Sequence, residues 1–260
     1  MIKFLKRFYL VIILLFLYLP ITVLIVQSFN AGKSRAVWEG FSFRWYVELF
    51  KSPNIMHALY ITLSIAVLAS VFSTIIGTLA AIGIHSMRKR SQGVMMTLSN
   101  IPMTMPDIVT GISLMLLYIF TKVDRGFMTM LLAHIGFDIP YVILSVMPKL
   151  KQMSKFSYEA ALDLGATPSY ALRHVILPSI WPGVITGAML SFTLSLDDFT
   201  ISYFTTSPLV QNLSTLIYSE ARKGIKPTLN ALSALMFISL LVLLLVVNHR
   251  SNNINNTTTK

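Results

Sequence analysis

Cysteine is absent from the 260 residues, so disulfides and thiolate metal sites are excluded and redox compartment is left open. Charge is scarce too: Asp, Glu, Lys and Arg make up 12% of the chain, where soluble domains carry about 25%. An ordinary water-soluble domain is thereby excluded. With 55% hydrophobic residues and a mean hydropathy of +0.70, most of the chain belongs in lipid. Acids are scarcer than bases, 10 against 21, for a net charge of +11. The bases sit at the ends of apolar runs and no basic domain stands apart, which favours a membrane surface over nucleic acid. A glycine-rich phosphate loop is missing. Gly32-Lys33-Ser34 looks like the end of one, but Gln27 stands where the pattern needs its first Gly, so the chain is expected to bind no ATP. His57, His85, His134, His174 and His249 are scattered without metal-ligand spacing, and no internal repeat is present.

What is present is a set of long apolar runs. A membrane helix needs about 20 mostly apolar residues. The first run, Phe8 to Phe29, is uncharged for 22 residues and follows Lys3, Lys6 and Arg7. It is too long for a signal-peptide core of roughly 7–15 residues. The second, Ala58 to His85, is rich in Ser, Thr, Ala and Gly, which suit close helix packing in lipid. The third, Val94 to Thr121, is broken by Pro102 and Pro106; the fourth, Phe127 to Met147, is interrupted by Gly136 and Pro140. The fifth is Trp181 to Phe204 and the sixth Leu229 to Val247. Asn30 to His57 and Thr205 to Thr228 read as polar loops. The expected fold class is all-α integral membrane, with six transmembrane helices in a single domain over residues 1–260, a loop at 148–180 and a flexible tail at 249–260. An even number of spans puts both termini on one side. That side carries 12 of the 21 bases, and the clusters nearest the spans, Lys3-Lys6-Arg7 and Arg88-Lys89-Arg90, make it the cytoplasmic one.

Four carboxylates, Asp107, Asp138, Asp197 and Asp198, fall inside these runs. An intramembrane charge costs roughly 2.5–3.5 kcal/mol on insertion scales. No Lys or Arg lies inside the runs to pair with them. Buried acids without basic partners suit a pathway for a cation. The alternative is that they sit at span ends, solvated or capping helices. Asp197 and Asp198 come some 16 residues past Trp181, toward the outer side. Pro106-Asp107 follows a helix break; it either caps the restarted helix or marks a broken helix near the midplane, a feature of transporter sites. Asp138, between Gly136 and Pro140, is given no role.

The longest polar-containing interruption runs from Glu159 to Pro178. Lys155 to Leu164 can form a short helix with Glu159 and Asp163 four apart on one face. Gly165 stops it. Thr167 suits an N-cap and Pro168 the first position of a second helix. Ala171, Leu172, Val175 and Ile176 make that helix's apolar face, Arg173 and His174 point to water, and Leu177-Pro178 ends it.

Glu159-Ala160-Ala161, Gly165 and Ile176-Leu177-Pro178 together resemble the EAA loop of ABC-transporter permease subunits. Ser-Phe-Thr-Leu-Ser-Leu-Asp-Asp at 191–198 and Met105-Pro106-Asp107-Ile108-Val109 narrow the likeness to spermidine/putrescine permeases of the PotC type, over nearly the whole chain. The resemblance implies a type I importer permease in a bacterial cell membrane. It implies that Trp45, Asp107, Ser195, Asp197 and Asp198 line the substrate pathway. Glu159, Ala160, Ala161, Gly165, Ala166, Leu177 and Pro178 would form the loop that docks an ATPase. Carboxylates would bind ammonium groups, and an aromatic face can hold them by cation–π attraction, although a lone Trp is commonly an interfacial anchor. The implied partners are a second permease, a cytoplasmic ATP-binding cassette ATPase dimer that uses ATP and Mg, and an extracytoplasmic polyamine-binding protein. The chain itself would carry no cofactor, no metal and no catalytic residue. The competing readings are an ABC permease for another substrate, such as ferric iron or thiamine, and an intramembrane enzyme holding Mg²⁺ on the Asp197-Asp198 pair.

Overall fold

The computed structural model describes residues 2–34, 37–154, 156–224, 226–239 and 241–242, and the regular elements found there are helices. They are α1 (Ile2–Ser28), α2 (Arg44–Lys51), α3 (Pro53–Ser86), α4 (Lys89–Thr104), α5 (Asp107–Phe120), α6 (Phe127–Gln152), α7 (Phe156–Asp163), α8 (Pro168–Ala171), α9 (Leu177–Asp197), α10 (Thr200–Thr205), α11 (Leu213–Lys223) and α12 (Pro227–Ser239). Among the described residues four helices are long and apolar enough to cross a membrane: Arg7–Ser28, Pro53–Ser86, Phe127–Gln152 and Pro168–Asp197. A bent pair, α4 with α5, would make a fifth. The expected sixth, Leu229 to Val247, is described only to Val242, and the tail from Asn248 lies outside the described residues.

Several expected boundaries are corrected. The third run is two helices bent by 96°, because Pro106 has no N–H to donate and drives Met105 into an extended conformation (φ −79, ψ 141). Pro102 stays inside α4. The fourth run continues unbroken through Gly136 and Pro140 to Gln152. In lipid, losing one donor at a proline costs less than opening the backbone, and packed neighbours support the turn. Leu177-Pro178 does not end the second hairpin helix. Leu172–Ile176 widens into a π-helical turn, the Leu177 N–H reaches the Leu172 carbonyl, and one helix continues from Pro168 to Asp197. The loop from Thr205 to Thr228 contains α11, started by Asn212, whose Oδ1 accepts from the Thr215 N–H at 3.0 Å.

The chain divides into two compact units. The first holds residues 1–57 and 217–260. Its loop after α1 is wound around Asn30, which is 1% exposed. Asn30 Oδ1 accepts from the backbone N–H groups of Gly32 and Glu39, and Nδ2 donates to the carbonyls of Ser34 and Val37. Phe29, Phe41, Phe43 and Tyr46 pack against one another with ring centroids 5.1 to 6.1 Å apart. At the C-terminal end of α11, Lys223 and Lys226 hydrogen-bond to Glu220 and hold its carboxyl below the usual range.

The second unit, residues 58–216, is built on α3, α6 and α9. Helices α6 and α9 meet in a fixed register. His134 pairs with Ser195, Asp138 with Ser191, Val142 with Gly187 and Val146 with Gly183. Each step is four residues up one helix and four down the other, so α9 presents Gly183, Gly187, Ser191 and Ser195 as one small-residue stripe. A Cβ on Gly183 would lie 2.8 Å from the Ser145 carbonyl oxygen and 3.2 Å from Val146 Cα. Helix α3 brings a matching stripe, Ala69, Ser73, Gly77 and Ala81: Ser73 Oγ meets Ser191 Oγ at 2.6 Å, and a Cβ on Gly77 would come within 2.7 Å of the Val142 side chain. Ala81, Val142, Val146, Met147, Leu150 and Ile180 close the core below.

Gly183→Ala is expected to overpack backbone against backbone and cost about 1–3 kcal/mol, read as a lower thermal midpoint of the detergent-solubilised protein. Gly83, in the interior of α3 with open space around its Cα, is the control. There Gly83→Ala should be neutral or stabilising by about 0.5–1 kcal/mol. Equal effects at the two positions would refute the close α6–α9 approach.

Candidate functional site

The end of α9 and the turn into α10 form a buried polar knot. His134, 1% exposed, projects from α6 into it. Its Nδ1 meets Ser195 Oγ at 2.6 Å and its Nε2 meets Ser202 Oγ at 2.9 Å, with Asp198 Oδ2 at 3.6 Å. Asn212 Nδ2 donates to the same Ser202 hydroxyl at 2.8 Å. Asp198 turns inward and caps α10: Oδ1 accepts from the Ile201 N–H at 3.2 Å and Oδ2 from the Ser202 N–H at 2.7 Å. Asp197, one residue earlier, is exposed. The two neighbours therefore differ in role, and the pair does not offer both carboxylates to one ion.

The sequence-derived candidates are distributed as follows. Asp107 is exposed at the first position of α5, directly after the Pro106 break. Ser195 is 1% exposed and bonded to His134. Trp45 belongs to the first unit, is 3% exposed, and donates its Nε1–H to the Asn30 carbonyl at 2.6 Å. The Arg44 guanidinium already covers its ring, 5.1 Å from the centroid. Asp107, Ser195, Asp197 and Asp198 share the second unit. Among the described residues the ion pairs are Arg44–Glu48, His134–Asp198 and those of Glu220, so none of the membrane acids meets a Lys or Arg.

Asp138 is fully buried. Its Oδ2 accepts from Ser191 Oγ at 2.7 Å, Ser191 in turn meets Ser73, and Oδ1 has no hydrogen-bond partner among the described residues. His134 and Asp138 are one turn apart on α6, facing Ser195 and Ser191 one turn apart on α9. Sequence pattern does not single out His134, Ser73, Ser191, Ser202 or Asn212. The available signal was the spacing of four shared by the His134-Asp138 pair and the Gly183-Gly187-Ser191-Ser195 stripe.

The hairpin between α6 and α9 has the expected local chemistry, with Lys155 lying outside the described residues. Gly165 (φ +86) ends α7 with the Ala166 N–H on the Ala161 carbonyl and the Gly165 N–H on the Leu162 carbonyl, a Schellman closure. Thr167 Oγ1 accepts from the Tyr170 N–H at 3.3 Å. Ala171 and Ile176 are buried while Arg173 and His174 are exposed. Glu159, Ala160, Gly165 and Pro178 are exposed, Ala161, Ala166 and Leu177 half-buried, and Leu164 stands 90% exposed.

Comparison with known proteins gives three findings. Residues 73–254 match the family described as binding-protein-dependent transport system inner membrane component. The spermidine/putrescine transport system permease protein PotC of Escherichia coli (strain K12) is 37% identical over 230 residues, covering 88% of this chain and 87% of that protein. The putrescine transport system permease protein PotI of the same strain is 39% identical over 228 residues, covering 85% and 81%. In fold, the chain is similar to a chain of a bacterial alginate ABC transporter in complex with an alginate pentasaccharide-bound periplasmic protein, with a TM-score of 0.74 at 18% identity over 97% of this chain and 94% of that one.

Ser191→Ala removes the one hydrogen bond made to the Asp138 carboxylate among the described residues. The expected loss is about 1–3 kcal/mol of stability. Adding Asp138→Leu should recover part of it, since no orphaned polar group then remains. Thermal midpoints of the single and double variants decide; simple additivity of two losses would rule the interaction out.

Proposed function

The chain belongs to the family of inner membrane components of binding-protein-dependent transport systems, and from that premise we propose that it is the permease half of an ABC importer for spermidine or putrescine. It is a transporter subunit, not an enzyme. A polyamine is a flexible polycation with apolar links, so its path needs carboxylates that are open and not already neutralised by Lys or Arg. Asp107 and Asp197 meet that requirement; Asp198 and Ser195 act from behind the surface.

The observation that carries this reading is the continuous helix from Pro168 to Asp197. At about 1.5 Å per residue it is a rod of roughly 45 Å. One end is the hairpin with Glu159, Ala160 and Gly165 exposed and Ala161 half-buried, and the other is the acidic turn. Both termini and the hairpin are cytoplasmic. A soluble ATPase dimer docks on the hairpin and supplies the ATP and Mg chemistry, which this chain does not. Closure of that dimer pushes α7 and α8, the rod passes the displacement along α9, and the acidic turn changes its exposure. A second permease completes the path, and an extracytoplasmic binding protein delivers the polyamine.

Uptake of labelled spermidine and putrescine by cells carrying this chain and its partners tests the reading. At equal membrane expression, Asp107→Asn and Asp197→Asn should each weaken uptake about 10- to 150-fold, the worth of a hydrogen bond to a charged group. Normal uptake in both variants would exclude these acids from the path. No polyamine uptake by the unaltered complex would leave a permease for a different substrate.

A further inference from the structure

We propose that His134 is a positioning residue for the polyamine path: through its Nε2 the imidazole holds the first turn of α10 in place beside the end of α9 and so keeps Asp197 facing outward. This rests on the reading of Asp107 and Asp197 as the ammonium-binding acids. The geometry fixes how the ring works. Its Nε2 faces Ser202 Oγ at 2.9 Å and the Asp198 carboxylate at 3.6 Å; the hydroxyl can donate or accept but the carboxylate only accepts, which favours the proton on Nε2. Nδ1 is then an acceptor and takes the Ser195 O–H at 2.6 Å. Both ring nitrogens are used: the Nδ1 contact seats the ring against the end of α9, and the Nε2 contact is the one that holds the first turn of α10.

Holding that break has consequences on two sides. With Asp198 drawn inward as the cap of α10, its neighbour Asp197 is left exposed. Helix α10 in turn rests on α5: a Cβ on Gly111 would meet the Phe204 ring at 2.8 Å. Thr129 Oγ1 also donates to the Thr205 carbonyl at 2.9 Å, fastening the far end of α10 to α6. Helix α5 begins at Asp107. One buried imidazole thus bears on the placement of both exposed acids without touching the substrate.

The two arms of the ring can be separated. Asn reaches about as far as Nδ1 and can still accept from Ser195; Gln reaches about as far as Nε2 and can still donate toward Ser202. In proteoliposomes holding the assembled complex with its ATPase and binding protein, His134→Gln should keep KM for putrescine and spermidine near the unaltered value. His134→Asn and His134→Ala should raise KM roughly 2- to 12-fold, the worth of one hydrogen bond, with Vmax changed far less. Deuterium uptake over residues 198–205 should rise in His134→Asn and His134→Ala but not in His134→Gln. Indistinguishable KM and exchange in the Asn and Gln variants would reduce His134 to core packing and overturn the proposal. If the unaltered complex moves no polyamine, the transport reading falls, and the exchange comparison alone decides the clamp.

Discussion

Helices α6 and α9 touch through a ladder in which every rung is four residues from the next, and the rest of the second unit depends on that register. Water is absent from the hydrocarbon region, so a polar side chain there must find its partner within the protein. The register supplies the partners: the two polar groups of α6, His134 and Asp138, land opposite Ser195 and Ser191. The lower rungs have no polar work to do and use glycine instead, letting Val142 and Val146 lie against bare backbone. A shift of one residue along either helix would bury His134 and Asp138 against apolar side chains and push Cβ atoms into backbone. Helix α3 joins through Ser73 and Gly77, so the three helices form one interlocked core.

The helix breaks carry the other half of the design. Pro106 bends α4 from α5 and leaves Asp107 at a free helix start, where an acid suits the local dipole. The break after Asp197 is closed by Asp198, which occupies itself with the first turn of α10. By contrast, Pro140, Pro148, Pro178 and Pro182 do not break their helices. Rigid rods and sharp turns therefore alternate.

Adjacent residues of like chemistry ended in different roles. Asp197 and Asp198 look equivalent in the chain, yet one is exposed and the other is a half-buried cap. Ser195 and Trp45, expected to line a path, are buried with their polar atoms engaged, by His134 and by the Asn30 carbonyl. Of the five residues that sequence likeness placed along a path, only Asp107 and Asp197 are exposed.

The sequence by itself determined the membrane class, because uncharged runs of span length and a charged fraction of 12% admit no other solvent for most of the chain. It also determined the hairpin, since Gly165, Thr167 and Pro168 act through local backbone preferences that need no distant partner. Local rules failed at the prolines: the chain shows a missing donor, but whether a helix survives it depends on what packs alongside. They failed equally at His134 and Asp138, whose partners lie 61 and 53 residues away. Only the tertiary structure decided those, because the register between two antiparallel helices is set by the packing of glycine, valine and serine across the whole interface, and no window along one helix contains it.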